Sequence, residues 1–107
     1  MNNFKKEDLI QKVKNKCYIT DNSSLINNRI KEIVEDAIPR LKEICGIPLT
    51  EEFDFSESGV FCDLFKNYCF YKWYDKSPKE FEEAYISDIM KCRNKYMIEN
   101  QEDDVNV

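Results

Sequence analysis

The side chains that could carry out chemistry in this chain are five cysteines and many carboxylates, because the sequence contains no histidine. Without histidine, neither a Ser-His-Asp nor a Cys-His constellation can form, and no histidine is available to bind a metal. No two cysteines form a CxxC pair, which disfavours a zinc or iron–sulfur site and favours small hydrophobic side chains in a core. The cysteines stand at positions 17, 45, 62, 69 and 92.

The carboxylates form no visible acid–base pair. Some lie in a polar stretch at residues 46–58, and others open a predicted helix after Pro78, where acids complement the helix dipole. Gly46 and Gly59 are the only glycines and stand far apart, so a glycine-rich phosphate loop is absent. The sequence therefore predicts a protein that is not an enzyme and that uses no metal or cofactor.

Composition predicts a single all-α domain. Of 107 residues, 42% are hydrophobic, and two glycines with three prolines leave little material for the turns of a β fold. The net charge of −5 disfavours a sequence-specific nucleic-acid reader. No apolar run approaches the roughly 20 residues that cross a bilayer. Residues 1–8 lack the apolar segment of a signal peptide, so we expect reduced thiols in the cytoplasm.

Hydrophobic periodicity predicts a small bundle of four main helices, followed by an acidic flexible tail at residues 100–107. The N-cap cluster ending in Ser23 and Ser24, and Gly46 after the stripe, delimit the long second helix. Ser77 and Pro78 specify the start of the last helix. The domain covers residues 1–99, with predicted helices at about 4–16, 23–45, 59–75 and 78–99 and an irregular connector at 46–58.

Local signals make four further predictions. Residues 17–20 are expected to be extended, and Pro39 is expected to kink the second helix on its polar side without breaking it. Phe53 and Phe55 are expected to anchor the connector to the core. Ser56 or Ser58 is expected to cap the third helix.

The third predicted helix contains the single tryptophan and half of the aromatic side chains. Phe61, Leu64, Phe65 and Tyr68 follow the i, i+3, i+4, i+7 spacing of a core-facing helix. Its second half, from residue 70 to 74, is apolar nearly all round, so either several elements cover it or another protein does. A second stripe on the last helix, a third of a turn from its main one, favours a contact. The predicted subunit-interface residues are Phe70, Tyr71, Trp73, Tyr74, Ile86 and Met90.

The order of these segments resembles the head–tail connector proteins (adaptor or head-completion proteins) of tailed phages and prophages. The resemblance covers roughly residues 7–98. It consists of a short helix, the turn Asp21-Asn22-Ser23-Ser24 and a long helix. After the connector, the run Asn67-Tyr68-Cys69-Phe70-Tyr71 is followed by Glu80-Phe81-Glu82.

This resemblance implies a structural virion protein at the head–tail junction, present in the host cytoplasm during assembly. Its copies would form a ring, twelve-fold in that family, beneath the portal protein. The ring would extend the channel through which genomic DNA passes without sequence recognition, and would dock a stopper or tail-completion protein. By position, the portal contacts would include Tyr96, Met97 and Ile98. An acidic regulatory module that mimics DNA is the alternative, and it requires acids clustered on one exposed face.

Overall fold

The computed structural model describes residues 3–100, and within that range it contains five helices and no strand. The all-α bundle expected from the sequence is confirmed. Residues 101–107 of the expected tail lie outside the described residues. The helices are α1 (Asn3–Lys16), α2 (Ser24–Cys45), α3 (Val60–Trp73), α4 (Pro78–Ala84) and α5 (Ile86–Glu99).

The helix expected over residues 78–99 is divided in two at Tyr85, whose φ of −116° and ψ of 23° depart from helical values. The hydrogen bonds on either side persist, since the Tyr85 amide donates to Phe81 at 3.0 Å and its carbonyl accepts from Ile89 at 2.9 Å. The bend places the Tyr85 ring against Phe81 (centroids 5.2 Å apart) and against Tyr71 (5.7 Å). Aromatic packing thus accompanies a break that no glycine or proline marks.

The central pair of helices is α2 and α3, and α1 and α5 each pack against both of them. Arg29 near the start of α2 contacts Trp73 at the end of α3, so these two helices run antiparallel. Arg93 of α5 reaches the carbonyl of Ile44 at the end of α2. The bundle therefore places α1 and α5 on different flanks of the central pair, and α4 packs on α3 and α5.

Most helix ends follow the sequence signals. Ser23 and Ser77 accept hydrogen bonds from the amides three residues ahead, and Gly46 ends α2 with a φ of 75°. Helix α2 runs through the exposed Pro39 without a break, as expected. The expected cap of α3 is wrong, because the Gly59 N-cap provides no side-chain hydrogen bond and Ser56 is buried elsewhere.

The segment after α1 was expected to be extended, and this is wrong at Tyr18. Its φ of 59° lies in the left-handed region, and the following Ile19 amide donates to the Lys14 carbonyl at 3.0 Å. This is the helix-ending geometry that usually takes glycine. The Tyr18 side chain gains no burial in return, because 83% of its surface is exposed.

The core is built from the expected apolar stripes together with both connector phenylalanines. Phe55 is fully buried and Phe53 is half-buried, so the connector is anchored as expected. All five cysteines are free and buried. Burial raises the pKa of Cys17 to about 11 and the pKa of Cys69 well above its usual value, which keeps these thiols protonated and unreactive.

Candidate functional site

Three of the predicted interface residues, Phe70, Tyr71 and Trp73, are half-buried by neighbouring elements of the same chain. The Phe70 ring lies 4.8 Å from the ring of Tyr74, and the Lys16 ammonium stands 5.9 Å above it. Tyr71 meets the Phe81 ring at 5.7 Å. The second half of α3 is therefore covered in part by α1, α2 and α4, and a partner could reach only what they leave open.

Trp73 is held by Arg29 from the start of α2. The guanidinium carbon stands 4.6 Å from the indole centroid, within the range of a cation–π contact. The same guanidinium donates to the Trp73 carbonyl at 3.2 Å and lies 3.8 Å from the Asp75 carboxylate. This arrangement fixes the tryptophan ring at the surface and leaves the cation exposed beside it.

Two exposed side chains that the sequence did not single out, Tyr18 and Leu25, belong to the same surface as Trp73 and Tyr74. The Tyr74 hydroxyl donates to the carbonyl of Cys17 at 3.3 Å, which brings Tyr74 next to Tyr18. Leu25, which is 79% exposed, lies one helical turn before Arg29 and so on the same side of α2. We call this surface, composed of Tyr18, Leu25, Trp73 and Tyr74, the aromatic end.

A second apolar surface runs along α5, where the sequence predicted it. Ile86, Met90 and Met97 share one side of the helix, about a third of a turn from the buried Ile89 and Cys92. Their exposures are 54%, 45% and 51%, so none of them serves the core of this chain. We call these three residues the α5 face.

The three predicted portal-contact residues separate into two groups. Tyr96 is half-buried, with its ring 6.2 Å from Phe53 and its hydroxyl donating to the Glu51 carboxylate. That hydrogen bond raises the pKa of Tyr96 to about 12. Met97 and Ile98 are 51% and 69% exposed and remain available to a partner. Tyr96 therefore joins α5 to the connector, whatever further contacts it makes.

A cluster of polar side chains centred on Asp54 and Ser56 joins the connector to α1. Asp54 accepts hydrogen bonds from the amide and the hydroxyl of Ser56 at 2.9 and 2.5 Å, and its other oxygen lies 3.5 Å from the Lys5 ammonium. Lys12 donates to the Ser56 carbonyl. Burial opposes ionisation of Asp54, but these donors outweigh it and lower the pKa of the carboxyl. The cluster holds the connector against α1.

Acidification is expected to weaken the fold through Asp54. Its pKa is lower in the folded chain than the ordinary value of about 3.9, so its contribution is complete above that pH and is lost as the pH falls through the folded value. We expect Asp54→Asn to be less stable than the parent chain at pH 6. The difference should shrink below about pH 4.

Urea unfolding of the two proteins between about pH 2 and pH 6 measures this difference. A gap in unfolding free energy that stays constant over the whole range would contradict the role of the Asp54 charge. The exposed Asp63, whose oxygen lies 3.6 Å from Lys66 on the same helix, supplies the control site as Asp63→Asn.

The features between residues 3 and 100 that bear on chemistry are grooves, metal-ligating side chains and buried polar atoms. No group of three metal-ligating side chains comes together in this part of the chain. One groove of about 310 Å³ is lined by both acids and lysines of α1, α3 and α5. Every buried side-chain nitrogen or oxygen atom within the described range has a hydrogen-bond partner. The thiols of Cys45 and Cys92 are hydrogen-bonded to each other, which raises the pKa of Cys45.

Many of the charges on the described surface are paired. Acids pair with lysine or arginine along the length of the bundle, and Glu35, whose pKa is lowered by the hydrogen bond from Lys6, is one of them. A DNA mimic requires an acidic face without such partners, so this arrangement does not favour the alternative function. Pairs within single helices are Lys12–Asp8, Arg40–Glu43, Lys66–Asp63 and Lys95–Glu99.

Comparisons with protein-family models, with curated proteins and with solved structures each returned no match to this chain. Among the helices that residues 3–100 form, none has both the length and the apolar character needed to cross a bilayer. Function must therefore be argued from the surfaces described above.

Proposed function

We propose that this chain is a structural subunit of a phage head–tail connector, which assembles with copies of itself and with the portal protein. The observation that carries the proposal is the α5 face. It aligns three exposed apolar side chains on one side of a helix whose other side already fills the core, with Arg93 standing between Met90 and Met97. Apolar side chains scattered singly on a surface are ordinary, but an aligned stripe is typical of a contact with another protein.

Two further features support this role. The aromatic end provides a second exposed surface, and aromatic side chains are enriched where proteins bind each other. The sequence pattern from the N-cap cluster to Glu80-Phe81-Glu82 is similar to that of connector subunits. Neither feature calls for a catalytic site.

In this role, the subunits extend the DNA channel below the portal and present a platform for the stopper or tail-completion protein. The chain's net charge of −5 suits a conduit, because a wall with little attraction for phosphate lets DNA slide. The protein would occupy the head–tail junction of the virion and would be found in the host cytoplasm during assembly. Met97 and Ile98, exposed at the end of α5, are the proposed portal contacts.

Co-sedimentation with a portal ring, which the proposal expects to be encoded beside this gene, tests the proposal. We expect the chain to sediment with the ring, and we expect Ile98→Glu, which leaves the three residues of the α5 face unchanged, to reduce binding at least about tenfold, since a charge would enter an apolar contact. Gln11→Glu adds a charge to an exposed site on α1 instead and should bind normally.

A chain that never sediments with the portal ring would contradict the proposal. So would a gene neighbourhood that lacks portal, capsid and tail genes. Binding that survives Ile98→Glu would reject the assigned portal contact at the end of α5 while leaving the connector role in place.

A further inference from the structure

We propose that the aromatic end of one copy docks on the α5 face of the next copy, in a head-to-tail contact. This inference rests on the proposed function, because it specifies how the subunits associate with one another. The aromatic end of each copy is then covered by the α5 face of a neighbouring copy of the same protein. The argument depends on where the two surfaces lie and on the charges around them.

The two surfaces differ in composition and in the helices that form them. The aromatic end is formed where α1 and α3 end and α2 begins, whereas the α5 face starts beside Tyr85, which contacts Tyr71 at the same end of the bundle, and runs from there along α5. A two-fold dimer would use only one of them, paired with itself, and would leave the other exposed. A head-to-tail contact covers both in every copy, and such a contact generates a ring when its rotation closes.

Charge distinguishes the two surfaces further. Exposed cations surround the aromatic end and outnumber its carboxylates at Asp21 and Asp75. Three of them already stand over its rings or over rings beside it, where a cation–π contact leaves the charge itself exposed. The four cations around the aromatic end are Lys16, Arg29, Lys72 and Lys76, and all of them except Lys72 make such a cation–π contact.

The start of the α5 face is bordered by acid. Helix α4 carries three glutamates against a single lysine, and Ile86 forms one wall of a shallow depression of about 460 Å³ with Lys79, Glu82 and Glu83. Pairing the α5 face with itself would bring two such acidic borders together, and pairing the aromatic end with itself would oppose two clusters of cations. A head-to-tail contact that places the start of the α5 face on the aromatic end brings cations against acids there, whereas Arg93 adds a cation farther along the face, between Met90 and Met97. Electrostatic complementarity at the start of the face favours this contact over either two-fold alternative.

The sharpest test is a complementation experiment with two variants. The first, Tyr18→Asp with Leu25→Asp, removes the aromatic end; aspartate tolerates the left-handed backbone at position 18 and suits the first turn of α2. The second, Ile86→Glu with Met90→Glu, removes the α5 face. The control, Gln11→Glu with Thr50→Glu, adds the same number of acids at exposed sites outside both surfaces.

Sedimentation velocity at protein concentrations up to about 1 mM should show association of the parent chain and of the control, with at least about tenfold weaker association for each variant alone. An equimolar mixture of the two variants retains one intact aromatic end and one intact α5 face, on different molecules. We expect this mixture to form a one-to-one heterodimer and nothing larger. Added salt should weaken that heterodimer.

Circular dichroism of each variant confirms that it is folded before it is mixed. A mixture that stays monomeric while the parent chain associates would overturn the head-to-tail contact, as would undiminished association of either variant alone. A parent chain that stays monomeric at every concentration would overturn the head-to-tail contact as well, even if that chain sediments with the portal ring. Portal binding decides the proposed function separately, so the two failures are distinguishable.

Discussion

Replacing Phe55 by alanine is expected to lower the free energy of unfolding by about 3–5 kcal/mol. Phe55 belongs to the connector between α2 and α3, yet its side chain is fully buried. Its ring lies 5.0 Å from Phe65 of α3 and 4.9 Å from Phe53. Truncation would remove the apolar surface that fixes the connector and would leave a cavity between it and α3.

Urea unfolding followed by circular dichroism measures this loss, and Leu49→Ala is the matched control. Leu49 lies in the same connector but is 56% exposed, so its truncation should change the unfolding free energy by less than about 0.5 kcal/mol. A Phe55→Ala cost as small as that of Leu49→Ala would mean that the connector is not part of the cooperative core.

The sequence was sufficient to place the helices because their boundaries are set by local interactions. Ser23, Gly46 and Ser77 act on amides and carbonyls within a few residues, so each signal can be interpreted without the rest of the fold. The core stripes are equally local, since helical spacing alone decides which side of a helix is apolar. Phe53 and Phe55 were predictable as anchors because they are the two aromatic side chains of an otherwise acidic and serine-rich stretch, and Ile47 at the start of the connector is buried as well.

Features that depend on which other side chain a residue contacts could not be predicted from local sequence signals. The break at Tyr85 accompanies ring contacts with Phe81 and Tyr71, one of which lies fourteen positions away in sequence. Ser56 was expected to cap α3, but Asp54 and Lys12 compete successfully for its polar groups. Tyr18 ends α1 in a conformation for which its residue type gives no signal.

The candidate site likewise has one part that local sequence signals could predict and another part that they could not. The α5 face was predictable because its second stripe is visible on one helical wheel. The helical wheel of α3 could not decide whether Phe70 and Trp73 are covered by their own chain or by another protein, because a wheel does not show how many elements pack on a helix. The structure gives an intermediate result, because both side chains are half-covered by their own chain. Leu25 belongs to the aromatic end because Arg29, one turn further along α2, contacts Trp73, and only the tertiary structure reveals that contact.

The partial covering of α3 has a consequence for assembly. Arg29 fixes the Trp73 ring, and Tyr74 is fixed by its hydrogen bond to Cys17 and its contact with Phe70. Side chains that are already ordered lose less conformational entropy when a partner docks on them. The intramolecular contacts of the aromatic end are therefore compatible with a role in binding, and they prepare its exposed rings for it.

Phe81→Ala is expected to lower the free energy of unfolding by about 3–5 kcal/mol and also to impair self-association at temperatures where the variant is still folded. Phe81 is the only buried side chain of α4, and its ring contacts Tyr68 at 5.1 Å, Tyr71 at 5.7 Å and Tyr85 at 5.2 Å. Without that ring, α4 loses its attachment to α3, and the acidic border of the α5 face loses its fixed position.

Thermal unfolding and sedimentation velocity measure the two effects, and Ala84→Ser at an exposed position of α4 provides a control that leaves the Phe81 ring and the three glutamates in place. Loss of stability without any change in association would show that the position of α4 is irrelevant to the contact between subunits. Loss of both is expected here, because Phe81 connects the core of the bundle to the one helix whose acids border the α5 face.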